Sequence, residues 1–145
     1  MISDVLDSLA AEPIMPVIKG EKHDAASWSV HFAKLQYLKT NRDEVDFGKG
    51  GPPNDESIGR AREFLDTLMV VQFLPKQVLA SVVGGIGIVM RGAGDKKKVY
   101  VEFTNKGSVN ALFSDGVGKP VVEKIQPENS AFLYLVAKAR DYLDA

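Results

Sequence analysis

The chain has no cysteine, two histidines and one tryptophan among its 145 residues. The missing cysteine excludes a disulfide framework, thiolate metal sites and a cysteine nucleophile together. His23 and His31 are too few for a histidine-rich metal centre. A helix running through both would hold them about 12 Å apart, too far to share an ion. A charge surplus is also lacking: 18 Lys+Arg against 19 Asp+Glu give a net charge of −1. Proteins that grip nucleic acid draw most of their affinity from neutralised phosphates and carry a strong basic excess, so nucleic acid is not an expected partner. No apolar run approaches the ~20 residues of a bilayer-spanning helix. The start, Met1-Ile2-Ser3-Asp4-Val5, has neither the basic head nor the apolar stretch of a secretory leader. The expectation is a soluble, cytoplasmic protein without a membrane partner.

What is present fits a globular domain. The chain is 45% hydrophobic, too apolar for disorder, with 13 Gly and 7 Pro. A single domain of this length buries roughly 70% of the surface its unfolded chain exposes. Residues 1–23 read as a partly ordered N-terminal arm. Val5, Leu6 and Leu9 suit one or two helical turns, and Pro13 and Pro16 stop any helix. The single domain is expected from 24 to 145.

Within it, Asp24 is a candidate cap for a helix over 24–39, with an apolar stripe of Trp28, Phe32, Leu35 and Leu38 and with His31 beside it. A Gly- and Pro-rich loop over 40–53 ends at Asn54, a second cap. Asp55 and Glu56 follow it, facing the positive end of the helix dipole. The next helix is predicted over 55–72, burying Ile58, Ala61, Leu65, Leu68 and Met69 with Phe64 on the flank, and ended by Pro75. The period then changes from 3.6 to 2. Strands are predicted at 78–82, 86–91, 98–104, 108–114 and 121–125, and a closing helix at 127–143 with Pro127 in its first turn. Helices grouped beside a run of strands mean α+β: an antiparallel meander of four or five strands with about three helices packed on one face.

Several chemical motifs come close and fail. Gly116-Val117-Gly118-Lys119-Pro120 has a Gly-Lys pair, but Phe113 and Pro120 stand where a phosphate loop needs glycine and a hydroxyl. Gly84, Gly85 and Gly87 begin a dinucleotide pattern that Met90 breaks. They read as a turn entering a strand, with Gly87 admitting another backbone at close range. Asn41, Asp43 and Asp46 place oxygens in one loop, but Val45 and Pro52 spoil calcium-loop spacing. Glu102 and Glu123 are the carboxylates to be tested for facing each other across strands. Lys96-Lys97-Lys98 is a run of like charge that reads as a solvated turn. No cofactor, no metal site and no catalytic set is assigned.

The outer sheet face holds more promise. If the alternation is right, Val89, Arg91, Tyr100, Glu102, Asn110, Leu112 and Lys124 point away from the helices. Tyr and Arg are favoured in protein interfaces. Arg91, Tyr100, Glu102, Asn110, Leu112 and Lys124 are therefore the candidate partner-binding residues.

Asp46-Phe47-Gly48, Gly51-Pro52-Pro53-Asn54, Ile58, Ala61, Phe64-Leu65 and Leu68 form a tract, continued by Pro75, Gly84-Gly85-Ile86, Glu102-Phe103 and Gly107. It resembles a group of short bacterial proteins of uncharacterised function, from which this chain departs at Val45, where the group has Trp. The resemblance implies a bacterial-type α+β domain and carries no activity or site residue.

The leading expectation is a small protein-binding module (an inhibitor, immunity or accessory factor) that associates stoichiometrically with another protein or with itself. The alternatives are a small-ligand-binding or sensing domain with a pocket between helices and sheet, and, less favoured, an enzyme using carboxylates such as Asp43, Asp46 or Glu102.

Overall fold

The computed structural model describes residues 25–41, 46–94 and 96–144. The readings of the N-terminal arm, of Asp24 as a cap, and of His23, Asp43 and Val45 fall outside them. The order is α1 (Ala25–Thr40), a single tight turn at Gly48–Gly50, α2 (Asp55–Val70), β1 (Gln77–Ala80), β2 (Gly85–Arg91), β3 (Lys98–Thr104), β4 (Val109–Ser114), β5 (Val121–Ile125) and α3 (Asn129–Asp144). The five strands form one antiparallel sheet in the order β1-β2-β3-β4-β5. The fold is α+β, with the helices on one face.

Local chemistry sets most of the boundaries. Asn54 caps α2, its Oδ1 accepting from the Ser57 N–H at 2.9 Å. The far end of α2 corrects the expectation that Pro75 stops it. Phe73 N–H donates to the Leu68 carbonyl at 2.9 Å and Gln72 N–H to the Met69 carbonyl at 3.1 Å, with Gln72 left-handed at φ 59°. This bond pair closes a helix by itself, normally around a glycine. The last helix starts at Asn129, later than Pro127 would place it. The Pro127 carbonyl accepts from Arg60 at 2.9 Å, outside the helix, and the Glu128 carbonyl accepts the first helical N–H, that of Phe132. β1 is likewise shorter than expected. Ser81 and Val82 belong to a turn closed by Gly84 N–H on the Ser81 carbonyl, with Gly84 at φ +97° beneath the Gly50 carbonyl.

The sheet alternates as its sequence does. Val99, Val101, Phe103, Val109, Ala111 and Phe113 face the helices and are buried. Phe64, Phe103 and Phe132 meet with ring centroids 5.5–6.0 Å apart, one ring each from α2, β3 and α3. Phe64 is thus the centre of the core rather than its flank, and Met69 turns outward. In α1 the buried stripe is Trp28, His31, Leu35 and Leu38. His31 takes the inward place expected of Phe32, which lies half-buried beneath the Arg62 guanidinium.

Candidate functional site: the open face of the sheet

With three helices on one side, the side chains of alternate strand residues are left on the other. The pairing register sorts them into rows that run across the strands. The central row is Gln77, Val89, Tyr100, Leu112 and Val122. On one side of it lie Leu79, Gly87, Glu102, Asn110 and Lys124, and on the other Arg91, Lys98 and Ser114. All six candidate partner-binding residues fall on this face, in these three rows. The central row is apolar over four consecutive strands, and both flanking rows carry charge. Val122 ends the apolar row on the edge strand, 62% exposed.

Tyr100 is held in place here. Its half-buried ring lies across Gly87, where a Cβ would collide with the ring. What Gly87 admits is therefore an aromatic side chain, not the backbone that its sequence context suggests. Glycine in a strand covered by a cross-strand aromatic is a recurring device of sheets. The ring reaches Ser81 beyond Gly87. The Ser81 hydroxyl donates to the Glu102 carboxylate and accepts from the Val83 N–H at 3.3 Å, and the Tyr100 hydroxyl lies against it. Burial raises the Tyr100 pKa above the usual phenol value. The Ser81 bond works against that shift, and the Glu102 charge adds to it. Beside the ring is a partly open hollow of about 430 Å³, lined by Leu79, Val89 and Leu112 together with Arg91 and Lys98.

The other candidates separate. Glu102 pairs with Asn110 on the open face, whereas Glu123 pairs with Ala111 on the helix face, so the two carboxylates do not meet. Glu123 is bound by Lys138 and, at 3.1 Å, by the Tyr134 hydroxyl. The Lys138 bond comes first among the causes that hold its carboxyl below the ordinary range. Asp46 closes its own turn by accepting from the Gly48 N–H at 2.9 Å. The Gly116–Gly118 loop cannot cradle a phosphate, because the Val117 and Gly118 N–H groups are bonded to the Asp115 carboxylate at 2.9 and 3.0 Å. His31 donates to the Pro75 carbonyl between α1 and β1, and burial lowers its pKa. The lysine run splits. Lys97 reaches the Tyr142 carbonyl at 3.3 Å, Lys98 sits on the open face, and Lys96 remains exposed at the hairpin.

Between α2, α3 and the sheet, the space a ligand pocket would need is filled by the three phenylalanines. Among the described residues no three His, Asp or Glu side chains cluster as metal ligands. No helix among them is long and apolar enough to cross a membrane.

One polar site escaped the sequence reading. The Asn105 Oδ1 accepts from the Asn54 N–H at 2.8 Å and from the Ser57 hydroxyl at 2.9 Å. Its amide group donates to the Pro52 carbonyl at 3.0 Å, and its carbonyl accepts from the Asn54 amide at 2.8 Å. These bonds pin the β3–β4 hairpin to the start of α2. Nothing in the sequence beyond an Asn in a hairpin pointed there.

No family model matches the chain, and no curated protein or solved structure matches it either.

Proposed function

We propose that the chain is a small, soluble, cytoplasmic protein-binding module, an inhibitor, immunity or accessory factor. It acts by stoichiometric association through the open sheet face. The observation that carries this reading is the apolar row Tyr100–Leu112–Val122, continued inward by the buried Val89, flanked by charged rows and covered by no described element. Interface cores favour Tyr and Arg inside a polar rim. Tyr100 is already fixed by Gly87 and Ser81, so docking on it costs little side-chain ordering. Sensing of a small ligand is the second reading, and the hollow beside Tyr100 is what favours it. That hollow is partly open and lies on the same face, which suits a partner's side chain better than a fully enclosed metabolite.

The test compares the tagged wild type with Leu112→Glu, both recovered from cells of its source. The expected result is a stoichiometric partner retained by the wild type and lost from the variant, with far-UV circular dichroism and melting unchanged. A partner retained equally by the variant, or no stoichiometric partner, sinks the reading.

A further inference from the structure

The open face is complementary to itself, and we infer that a second copy of this chain covers it in a two-fold, face-to-face dimer. The inference rests on the reading of that face as the contact surface. On β3, Lys98 and Glu102 stand two residues either side of Tyr100. On β4, Asn110 and Ser114 stand two residues either side of Leu112. A half-turn about an axis along the central row lays Val89, Tyr100, Leu112 and Val122 on their counterparts and exchanges the flanking rows. Lys98 then meets Glu102 of the second copy, and Asn110 meets Ser114, each contact made twice. Arg91 falls on Gly87, over which the Tyr100 ring of the second copy lies. A half-turn about an axis along β3 instead sets Lys98 on Lys98 and Glu102 on Glu102. Like charges directly opposed across an interface disfavour it strongly, so charge selects the first arrangement. That arrangement also runs the strands of the two sheets antiparallel, within reach of the ~30° angle at which sheets normally pack.

The size of the face sets the strength. Five strands at about 4.8 Å spacing and ~20 Å length give roughly 480 Å² per copy, near 1,000 Å² for the pair, at the low edge of specific interfaces. The dimer is therefore weak, concentration-dependent and exchangeable with another partner on the same face.

Analytical ultracentrifugation of Lys98→Glu and Glu102→Lys tests this. The wild type is expected to show a monomer–dimer equilibrium, and each variant alone to be weakened roughly tenfold or more by two like-charge contacts. Mixed, the two variants are expected to form a one-to-one heterodimer as tight as the wild type, because every contact is again between opposite charges. Within one chain the two positions are ~13 Å apart along the strand, so recovery on mixing reports an intermolecular contact. Glu102 also holds Ser81. Asn110→Lys and Ser114→Asp therefore supply a second pair, whose mixture is expected to associate more tightly than either variant alone. A wild type that stays monomeric at millimolar concentration overturns the inference, as does failure of both mixtures. Such a monomer whose Leu112→Glu variant still loses a cellular partner overturns self-association alone.

Discussion

Tyr100 shows how much one side chain settles on this face. Its ring occupies the space over Gly87 and its hydroxyl completes a chain through Ser81 to Glu102. Gly87→Ala sets a methyl group into the ring, which must swing out and leave Ser81. The expected loss is about 1 kcal/mol, typical of mild overpacking. The same substitution in a Tyr100→Leu background is expected to cost close to nothing, which urea titration of the four proteins checks. Equal losses in both backgrounds would show that the ring is not the obstacle. The period-2 alternation of β3 and β4 was enough to place Tyr100, Glu102, Asn110 and Leu112 on one face. It was not enough to show why position 87 is glycine, because the obstacle comes from another strand. Glu102 and Glu123, the carboxylates to be tested for facing each other, point to opposite faces for a related reason. Pairing register is a tertiary property, and a one-residue difference in it sends a side chain to the opposite face.

At the scale of elements, capping chemistry was legible and helix closure was not. Asn54 followed by Asp55 and Glu56 announces the start of α2, and Asn54 indeed caps it. Its end was attributed to Pro75 because proline is a conspicuous stop. The closure at Gln72 carries no such residue. A glutamine at φ 59° bears left-handed strain that glycine avoids, usually 1–2 kcal/mol for a residue with a Cβ. Gln72→Gly is therefore expected to stabilise the protein by about 1 kcal/mol, part of the relief being offset by the freer unfolded chain. The melting temperature should rise by roughly 3 °C. A calorimetric scan showing no rise, or a fall, would mean that the contacts of the Gln72 side chain outweigh the strain. The α1 stripe went astray by one position, because both 28, 31, 35, 38 and 28, 32, 35, 38 satisfy helical spacing. Tertiary packing turns His31 inward, where it meets the Pro75 carbonyl. The Asn105 lock was illegible for the plainest reason: Pro52, Asn54 and Ser57 lie some fifty residues away in sequence.

Across the whole molecule, three groups that titrate on the acid side pull the same way. Burial lowers the His31 pKa below 6.5. The Val117 and Gly118 N–H groups lower Asp115, and Lys138 lowers Glu123. A depressed folded-state pKa gives stability that is complete above the unfolded value and is lost as pH falls through the folded one. Melting temperature is therefore expected to decline in two stages, first below pH 6.5 through His31 and then through the carboxylate range. His31→Gln, which keeps a donor for the Pro75 carbonyl, should abolish the first stage and leave the second. An unchanged profile would place the first transition elsewhere. The meander itself has a consequence in time. Each strand pairs with the one made just before it, so the sheet can assemble hairpin by hairpin as it leaves the ribosome, without long loop closures. Phe132, however, lies in α3, translated after all five strands. Until α3 emerges, Phe64 and Phe103 lack their third ring and the sheet shows greasy surface on both sides. That interval is when a nascent chain has most need of a chaperone.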